Sequence, residues 1–285
     1  MSQMSKVDQV TTQALIAASE AALAGRTGSA IAAFSRMVEA GSAAAAASLA
    51  ELSAFGGDWG GVVSNGAKLI AEPTAVYAAN VFDDMVQLLG RAGQEGEPWA
   101  KIGVVARHGL SELDRSETCE HGRQHLGTTL RSLADYADRE GGPPHELIPV
   151  FGGVESEIDQ EAYRDALDNL LTLQPNLKDE PDDLTRHRFA LAGAYRQPDD
   201  IVTRFFQAPE VMGFEQAVET AQVLVERGQD ERAWEIIEAR LGLWWPVDDA
   251  QVAPVVLLID PRLRALMTPE RCAMVLATPR GSLAS

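Results

Sequence analysis

Apolar residues recur every three to four positions along most of this chain, while the strict alternation typical of β-strands is almost absent. The first helix is predicted over residues 8–24, where Gly25 is placed to end it. Further helices are predicted at 29–39, 43–55, 59–71, 74–92, 98–107, 122–139, 158–173, 183–195, 199–207, 212–227 and 230–243. The pattern therefore predicts an all-α protein whose helices are joined by short turns.

Residues 254–281 predict short helices that cap the C-terminal end of the fold. Asp260 and Thr268 each precede a proline, and this pairing is typical of an N-cap followed by the first helical position. The apolar run VVLLID, which ends at Asp260, would suit a strand that presents a metal-binding acid, but no partner strands are visible. We therefore interpret Asp260 as a helix cap.

Two further positions carry local predictions. His108 precedes Gly109 at the predicted end of the 98–107 helix, where a cation complements the helix dipole. Trp244 and Trp245 are adjacent, and two neighbouring indoles cannot both face the core from one helical turn. We therefore expect one of these two tryptophans either to be exposed or to pack on the C-terminal cap.

The clearest interruption of the helical pattern is the stretch EGGPPHELIPVFGGVESEI, residues 140–158. Its Gly-Gly pairs and its Pro-Pro pair are incompatible with a continuous helix. We predict an N-terminal array of helical hairpins over 1–140, a loop or boundary over 141–157, and a C-terminal array with capping helices over 158–285.

A short unit recurs along the chain. GRTGSAIAAFSRMV, GDWGGVVSNGAKLIAEP and GQDERAWEIIEARLGLWWP each begin with a turn glycine, and a small apolar residue follows five positions later. Those small residues are Ala30, Val62 and Ala233. The units resemble the second half of a tetratricopeptide repeat, and residues 161–175 resemble it without the glycine. The resemblance implies an irregular solenoid of stacked antiparallel helical hairpins, a class of protein that binds other proteins or peptides.

The chain is strongly acidic, with 42 Asp and Glu against 24 Lys and Arg, a formal charge of −18 and an isoelectric point near 4.6. Such a charge repels phosphate groups, so nucleic acid and anionic membranes are poor partners, whereas a basic protein surface suits it. The two cysteines do not form a disulfide framework, and no apolar stretch has the length of a signal core or a membrane span. These features predict a cytoplasmic protein.

The segment GDWGGVVSNGAK is similar to a phosphate-binding loop, because Gly61, four residues and Gly66 precede Lys68. However, Ala67 separates Gly66 from Lys68, Leu69 stands where a hydroxyl residue is needed, and no strand precedes the glycines. We therefore interpret this segment as a turn followed by a helix.

The remaining candidate for chemistry is a possible metal site. Cys119, His121 and His125 are zinc ligand types, and the two histidines share a face if the segment is helical. The set could be completed by Glu117, Glu120 or His145. A zinc protease would need a glutamate directly after the first histidine, where this chain has Gly122.

Together these observations predict a non-catalytic scaffold or adaptor that binds a protein or peptide, with an inhibitor or immunity-type partner as one version. No residue is assigned as catalytic, cofactor-binding or metal-binding, and no cofactor is expected. The alternative is a metal-binding protein or metal-assisted hydrolase centred on Cys119, His121 and His125.

Overall fold

The computed structural model describes residues 6–71, 79–115, 120–139, 213–246 and 250–281. Within these ranges every regular element is helical, which confirms the predicted all-α class. The first seven helices are α1 Lys6–Leu23, α2 Thr27–Glu39, α3 Ala43–Phe55, α4 Trp59–Ile70, α5 Ala79–Gln94, α6 Trp99–Arg115 and α7 Glu120–Ala137. The later ones are α8 Phe214–Glu226, α9 Asp230–Arg240, α10 Val256–Ile259 and α11 Pro269–Ala277, with 3-10 turns at Leu241–Leu243 and Arg264–Leu266.

Most predicted helices lie within a few residues of the observed bounds, and the helix predicted at 43–55 matches α3 at both ends. The caps explain this agreement. Ser42 accepts a hydrogen bond from the Ala45 amide at the start of α3, and Thr268 accepts one from Arg271 at the start of α11. The helices predicted at 158–173, 183–195 and 199–207, and the interruption at 140–158, lie outside the described residues.

The predicted end of the 98–107 helix was wrong. Helix α6 continues through His108 and Gly109 to Arg115, so His108 is an exposed residue in the middle of a helix. Gly109 is buried against Ile70 of α4 and Leu130 of α7. The glycine therefore permits close helix packing at this position and does not end the helix.

One turn geometry recurs between consecutive helices. The glycines at these turns have φ angles between 69° and 106° and are Gly25, Gly41, Gly57, Gly96 and Gly228. At the third turn, the Gly57 amide donates to the Ala54 carbonyl and the Asp58 amide donates to the Ser53 carbonyl, at 3.1 and 2.9 Å. These two hydrogen bonds form a Schellman motif. The residue with a positive φ angle in this motif is usually glycine, because glycine has no β-carbon.

The small residues that follow three of these turns are fully buried. Ala30, Val62 and Ala233 each have 0% exposure. Their burial is consistent with the sequence interpretation that each turn is followed by a helix-contact position. Helices on either side of a turn pack against each other in the pairs α1–α2, α3–α4 and α8–α9, as stacked hairpins require.

Helix α3 is the centre of the N-terminal part of the fold. Nearly every residue of α3 is buried, including the run Ala43–Ala47, and the helix packs against α1, α2, α4, α5 and α11. A helix that is apolar all round must be surrounded by other elements, and alanine lets those elements approach closely. The alanine-rich sequence of α3 therefore reflects its central position.

The chain divides into two compact units, one of residues 1–151 with 245–285 and the other of residues 152–244. The C-terminal segment thus belongs with the N-terminal helices, since α10 packs on α5 and α11 packs on α3. Among the described helices, none combines the length and apolarity needed to cross a bilayer.

Two local predictions for the C-terminal part are confirmed. Asp260 follows α10, and its carboxylate accepts hydrogen bonds from the amides of Arg262 and Leu263 at 2.8 and 3.3 Å, so it caps the next turn. Trp244 is 8% exposed and Trp245 is 50% exposed, so the two indoles do face different environments.

Candidate functional site

A buried carboxylate lies at the centre of the N-terminal unit. Glu51 belongs to α3 and is only 2% exposed. Its Oε2 atom accepts hydrogen bonds from the consecutive amides of Val252 and Ala253, at 2.7 and 3.0 Å. Two successive main-chain N–H groups that converge on one oxygen provide strong stabilisation for a negative charge.

The segment that supplies these amides, residues 250–254, is buried and non-helical. Helices α3 and α5 hold it through side chains. The Ser48 hydroxyl donates to the Ala250 carbonyl at 2.7 Å, and the Asp84 carboxylate accepts from the Gln251 side chain at 2.9 Å. Main-chain groups of three of these residues, Ala250, Val252 and Ala253, are therefore paired with side chains of α3.

Arg280 supports the same segment from the C-terminal end of the chain. It is 3% exposed, and its guanidinium donates to the Val252 carbonyl at 3.0 Å and to the Ala22 carbonyl at 3.3 Å. It also donates to the carbonyls of Val275 and Thr278. Arg280 therefore joins the end of α1, residues 250–254 and the end of α11.

We call this group of Ser48, Glu51, Asp84 and Arg280 the strap-binding cluster, and residues 250–254 the strap.

Burial dominates the electrostatics of the strap-binding cluster. Removal from water raises the pKa of Glu51 well above its ordinary value, and the negative charge of Asp84 raises it further. The amides of Val252 and Ala253 and the positive charge of Arg280 act in the opposite direction. The pKa of Arg280 is lowered to about 10, because the effect of burial is larger than the opposing attraction to Glu51.

A second feature is the acidic surface of the α8–α9 hairpin. Its exposed side chains include seven carboxylates, and its three arginines are only partly exposed. The carboxylates belong to Glu215, Glu219, Glu226, Asp230, Glu231, Glu235 and Glu238. Glu231, Glu235 and Glu238 are spaced four and three residues apart, which places them along one face of α9. We call these seven residues the acidic face.

The segment similar to a phosphate-binding loop forms the start of α4. The Asp58 carboxylate accepts a hydrogen bond from the Gly61 amide at 2.9 Å and so caps the helix N-terminus itself. A side chain at Gly61 would collide with Asp58 and Ser53, and one at Gly66 would lie 2.9 Å from Met85 Sδ. The glycines therefore accommodate the cap and the packing of α4 on α5.

The predicted metal-ligand residues lie at the edge of the described structure. Helix α7 begins at Glu120, so His121 and His125 are one helical turn apart near its start. Cys119, Glu117 and His145 lie outside the described residues, as do the side-chain positions of both histidines. Among the side chains that are described, no group of three His, Cys, Asp or Glu residues gathers around a common point.

The strap-binding cluster was not identified from the sequence, although one signal was present. Glu51 is the single charged residue in the alanine-rich segment 43–55, where all its neighbours are apolar or small. Comparison with family models, curated proteins and solved structures finds no match to this chain.

Proposed function

We propose that this protein is a non-catalytic scaffold or adaptor that binds a protein or peptide, and that the acidic face contacts a basic partner. The observation that carries the proposal is the concentration of seven exposed carboxylates on the short hairpin of α8 and α9. Surfaces of one charge attract partners of the opposite charge and accelerate their association. An inhibitor or immunity-type protein that masks a basic surface is one version of this function.

Two further observations support a binding role. The two helices on either side of a glycine turn pack against each other in the pairs α1–α2, α3–α4 and α8–α9. Helical repeat proteins are built from such hairpins, and their stacked helices present wide binding surfaces. The whole chain carries a formal charge of −18, which disfavours nucleic acid and anionic membranes as partners. The proposal places the protein in the cytoplasm, which suits a chain with two cysteines, of which Cys272 is free and buried.

The test compares two variants that change the net charge equally. The first replaces Glu215, Asp230, Glu235 and Glu238 by their amides, and it alters the acidic face. The matched control replaces Glu20, Glu39, Asp114 and Asp135, which are exposed on helices α1, α2, α6 and α7. Each immobilised chain is used to capture proteins from a lysate of the source cells.

The proposal predicts a partner that the wild type and the control variant retain, that the acidic-face variant loses, and that high salt elutes. The difference should reach at least about tenfold in affinity, because each rim charge pair contributes up to about 1 kcal/mol. A partner retained equally by all three chains would contradict the role of the acidic face.

A further inference from the structure

Exposed apolar side chains concentrate where α1, α2 and α11 meet. In the described part of the chain, six large apolar side chains are the most exposed. Two of them lie elsewhere, since Val104 belongs to α6 and Leu243 to the unit of residues 152–244. The other four lie on or beside α1, α2 and α11, are between 38% and 50% exposed, and are Ile16, Ile31, Trp245 and Met274. A single exposed apolar residue is ordinary, whereas several in one region indicate an interaction surface.

The end of α11 packs directly on the turn between α1 and α2. A β-carbon at Gly25 would collide with the Ala277 carbonyl oxygen, so the two main chains are in close contact. The Thr27 hydroxyl donates to the Leu276 carbonyl at 3.0 Å. Ile31 lies one helical turn after Thr27 and therefore on the same side of α2. These contacts bring Ile31 and α11, which carries Met274, to the same part of the surface.

Trp245 lies beside the end of α1. A β-carbon at Gly281 would be 3.4 Å from Leu23 Cδ1 and 3.6 Å from Trp245 Cε3, so the indole and the Leu23 side chain are near neighbours. Ile16 lies two helical turns before Leu23, on the same face of α1. We call Ile16, Ile31, Trp245 and Met274 the apolar corner.

The charges around the apolar corner balance, although the whole chain has a formal charge of −18. Between residues 12 and 40 and along α11 there are three acidic and three basic residues. They are Glu20, Glu39 and Glu270 with Arg26, Arg36 and Arg271. This surface therefore attracts a basic partner much less than the acidic face does.

A second copy of the same chain fits these properties. Two copies that each carry a charge of −18 repel each other, and the repulsion is weakest where the local charges balance. A two-fold interface joins the same surface of both copies, so that surface must be complementary to itself. An apolar surface with charges of both signs meets this condition, whereas the acidic face does not.

We propose that the apolar corner is the contact surface of a two-fold symmetric dimer of this chain. Ile16 and Ile31 of each copy pack against the apolar corner of the other. Trp245 contributes strongly to the contact, since tryptophan is enriched among the residues that dominate binding. The dimer uses a different surface from the acidic face and does not depend on the proposed binding function.

Sedimentation equilibrium of the full chain tests the dimer. We expect a dissociation constant in the micromolar range, measured between about 1 and about 100 µM protein. The double variant Ile16→Gln with Ile31→Gln should raise this constant at least about tenfold, because it places polar groups in the apolar contact. The matched control is Val104→Gln with Leu243→Gln, which makes the same kind of change at two exposed apolar residues outside the apolar corner and should leave the constant unchanged.

Salt separates the dimer from binding at the acidic face. Added salt should strengthen the dimer, because it screens the repulsion between two acidic chains and leaves the apolar contact intact. High salt has the opposite effect on the partner of the acidic face. A wild-type chain that is monomeric at about 100 µM, or equal weakening by the two double variants, would overturn the dimer without affecting the acidic-face experiment.

If the glutamine variant loses its helical circular dichroism, the wild-type chain provides the measurement. Met274 is exposed in the single chain, so hydrogen peroxide converts it to the sulfoxide. We expect this oxidation to be slower at about 100 µM than at about 1 µM protein, because the dimer covers Met274. Equal oxidation rates at the two concentrations would contradict the dimer.

Discussion

Gly109 of α6 lies against Ile70 of α4 so closely that no side chain fits between them. A β-carbon at Gly109 would meet Ile70 Cγ2 well inside contact distance and would lie 3.1 Å from Leu130 Cδ1. The three helices α4, α6 and α7 thus meet at this position. A glycine that appeared to end a helix is instead the residue on which this three-helix contact depends.

Replacing Gly109 by alanine should therefore destabilise the protein, although alanine favours helix formation. The gain in helix propensity is at most about 1 kcal/mol, whereas overpacking a core position costs about 1–3 kcal/mol. We expect a net loss, measured as a lower urea midpoint with an unchanged slope.

The matched control is Gly127→Ala in α7. Gly127 is also buried within a helix, but a β-carbon there would lie 3.5 Å or more from its neighbours. This variant should be unchanged or stabilised by up to about 1 kcal/mol. Equal effects of the two substitutions would contradict the packing role of Gly109.

Asp58 provides a test of the interpretation of the glycine-rich segment. Asp58→Ala removes the acceptor for the Gly61 amide and should cost about 0.5–2 kcal/mol of the free energy of unfolding, whereas Asp58→Asn should cost much less because asparagine also caps helices. Thermal unfolding of both variants checks this expectation. If the segment bound phosphate, adding a nucleotide would raise the melting temperature of the wild type, and we expect no such shift.

The stability of the protein should depend on pH through Glu51. The pKa of Glu51 is raised in the folded state, so the folded state retains its proton at pH values where the unfolded chain has lost it. The corresponding stabilisation is complete below about pH 4.3, the ordinary value for glutamate, and is lost as pH rises through the raised folded value. Asp84 and Arg280 are the charged groups that influence Glu51, in opposite directions.

Glu51→Gln removes this titration. The difference in free energy of unfolding, variant minus wild type, should therefore increase as pH rises above about 4.3. Urea unfolding between pH 4 and pH 8 measures the two curves, with Glu20→Gln on the exposed surface of α1 as the control. Parallel curves for the wild type and Glu51→Gln would show that Glu51 titrates alike in both states.

The metal-site alternative is tested by elemental analysis of protein purified without added metal. On the proposed binding function we expect far less than one zinc per chain, and the same value for the variant with both His121 and His125 replaced by alanine. Stoichiometric zinc that disappears in this variant would instead support a metal centre on α7.

Local signals explain how much of the fold could be predicted from the sequence. Helix α3 was predicted at both ends, because Ser42 and the Gly56–Gly57 pair flank it and each acts on its nearest neighbours. The turn at Gly57 was predicted for the same reason. Gly109 was misread, because its role depends on Ile70 and Leu130, which are distant in the sequence.

The strap-binding cluster shows the same limit at the candidate site. The sequence displays a glutamate among alanines, but nothing near Glu51 indicates that its partners are Val252 and Ala253. A carboxylate within an alanine-rich helix predicts that a partner from elsewhere in the chain binds it, but it does not identify that partner. By contrast, the acidic face was anticipated in general terms from the net charge, whereas its concentration on α8 and α9 required the structure.

The contact between Glu51 and the strap also has a consequence for synthesis of the protein on the ribosome. Val252 is added to the chain 201 residues after Glu51, which takes about 10–40 s at 5–20 residues per second. During that interval α3 exists without the segment that pairs its buried carboxylate, so the nascent N-terminal unit cannot reach its final packing. The contact that pairs Glu51 with the strap can therefore form only after Val252 and Ala253 have been synthesised.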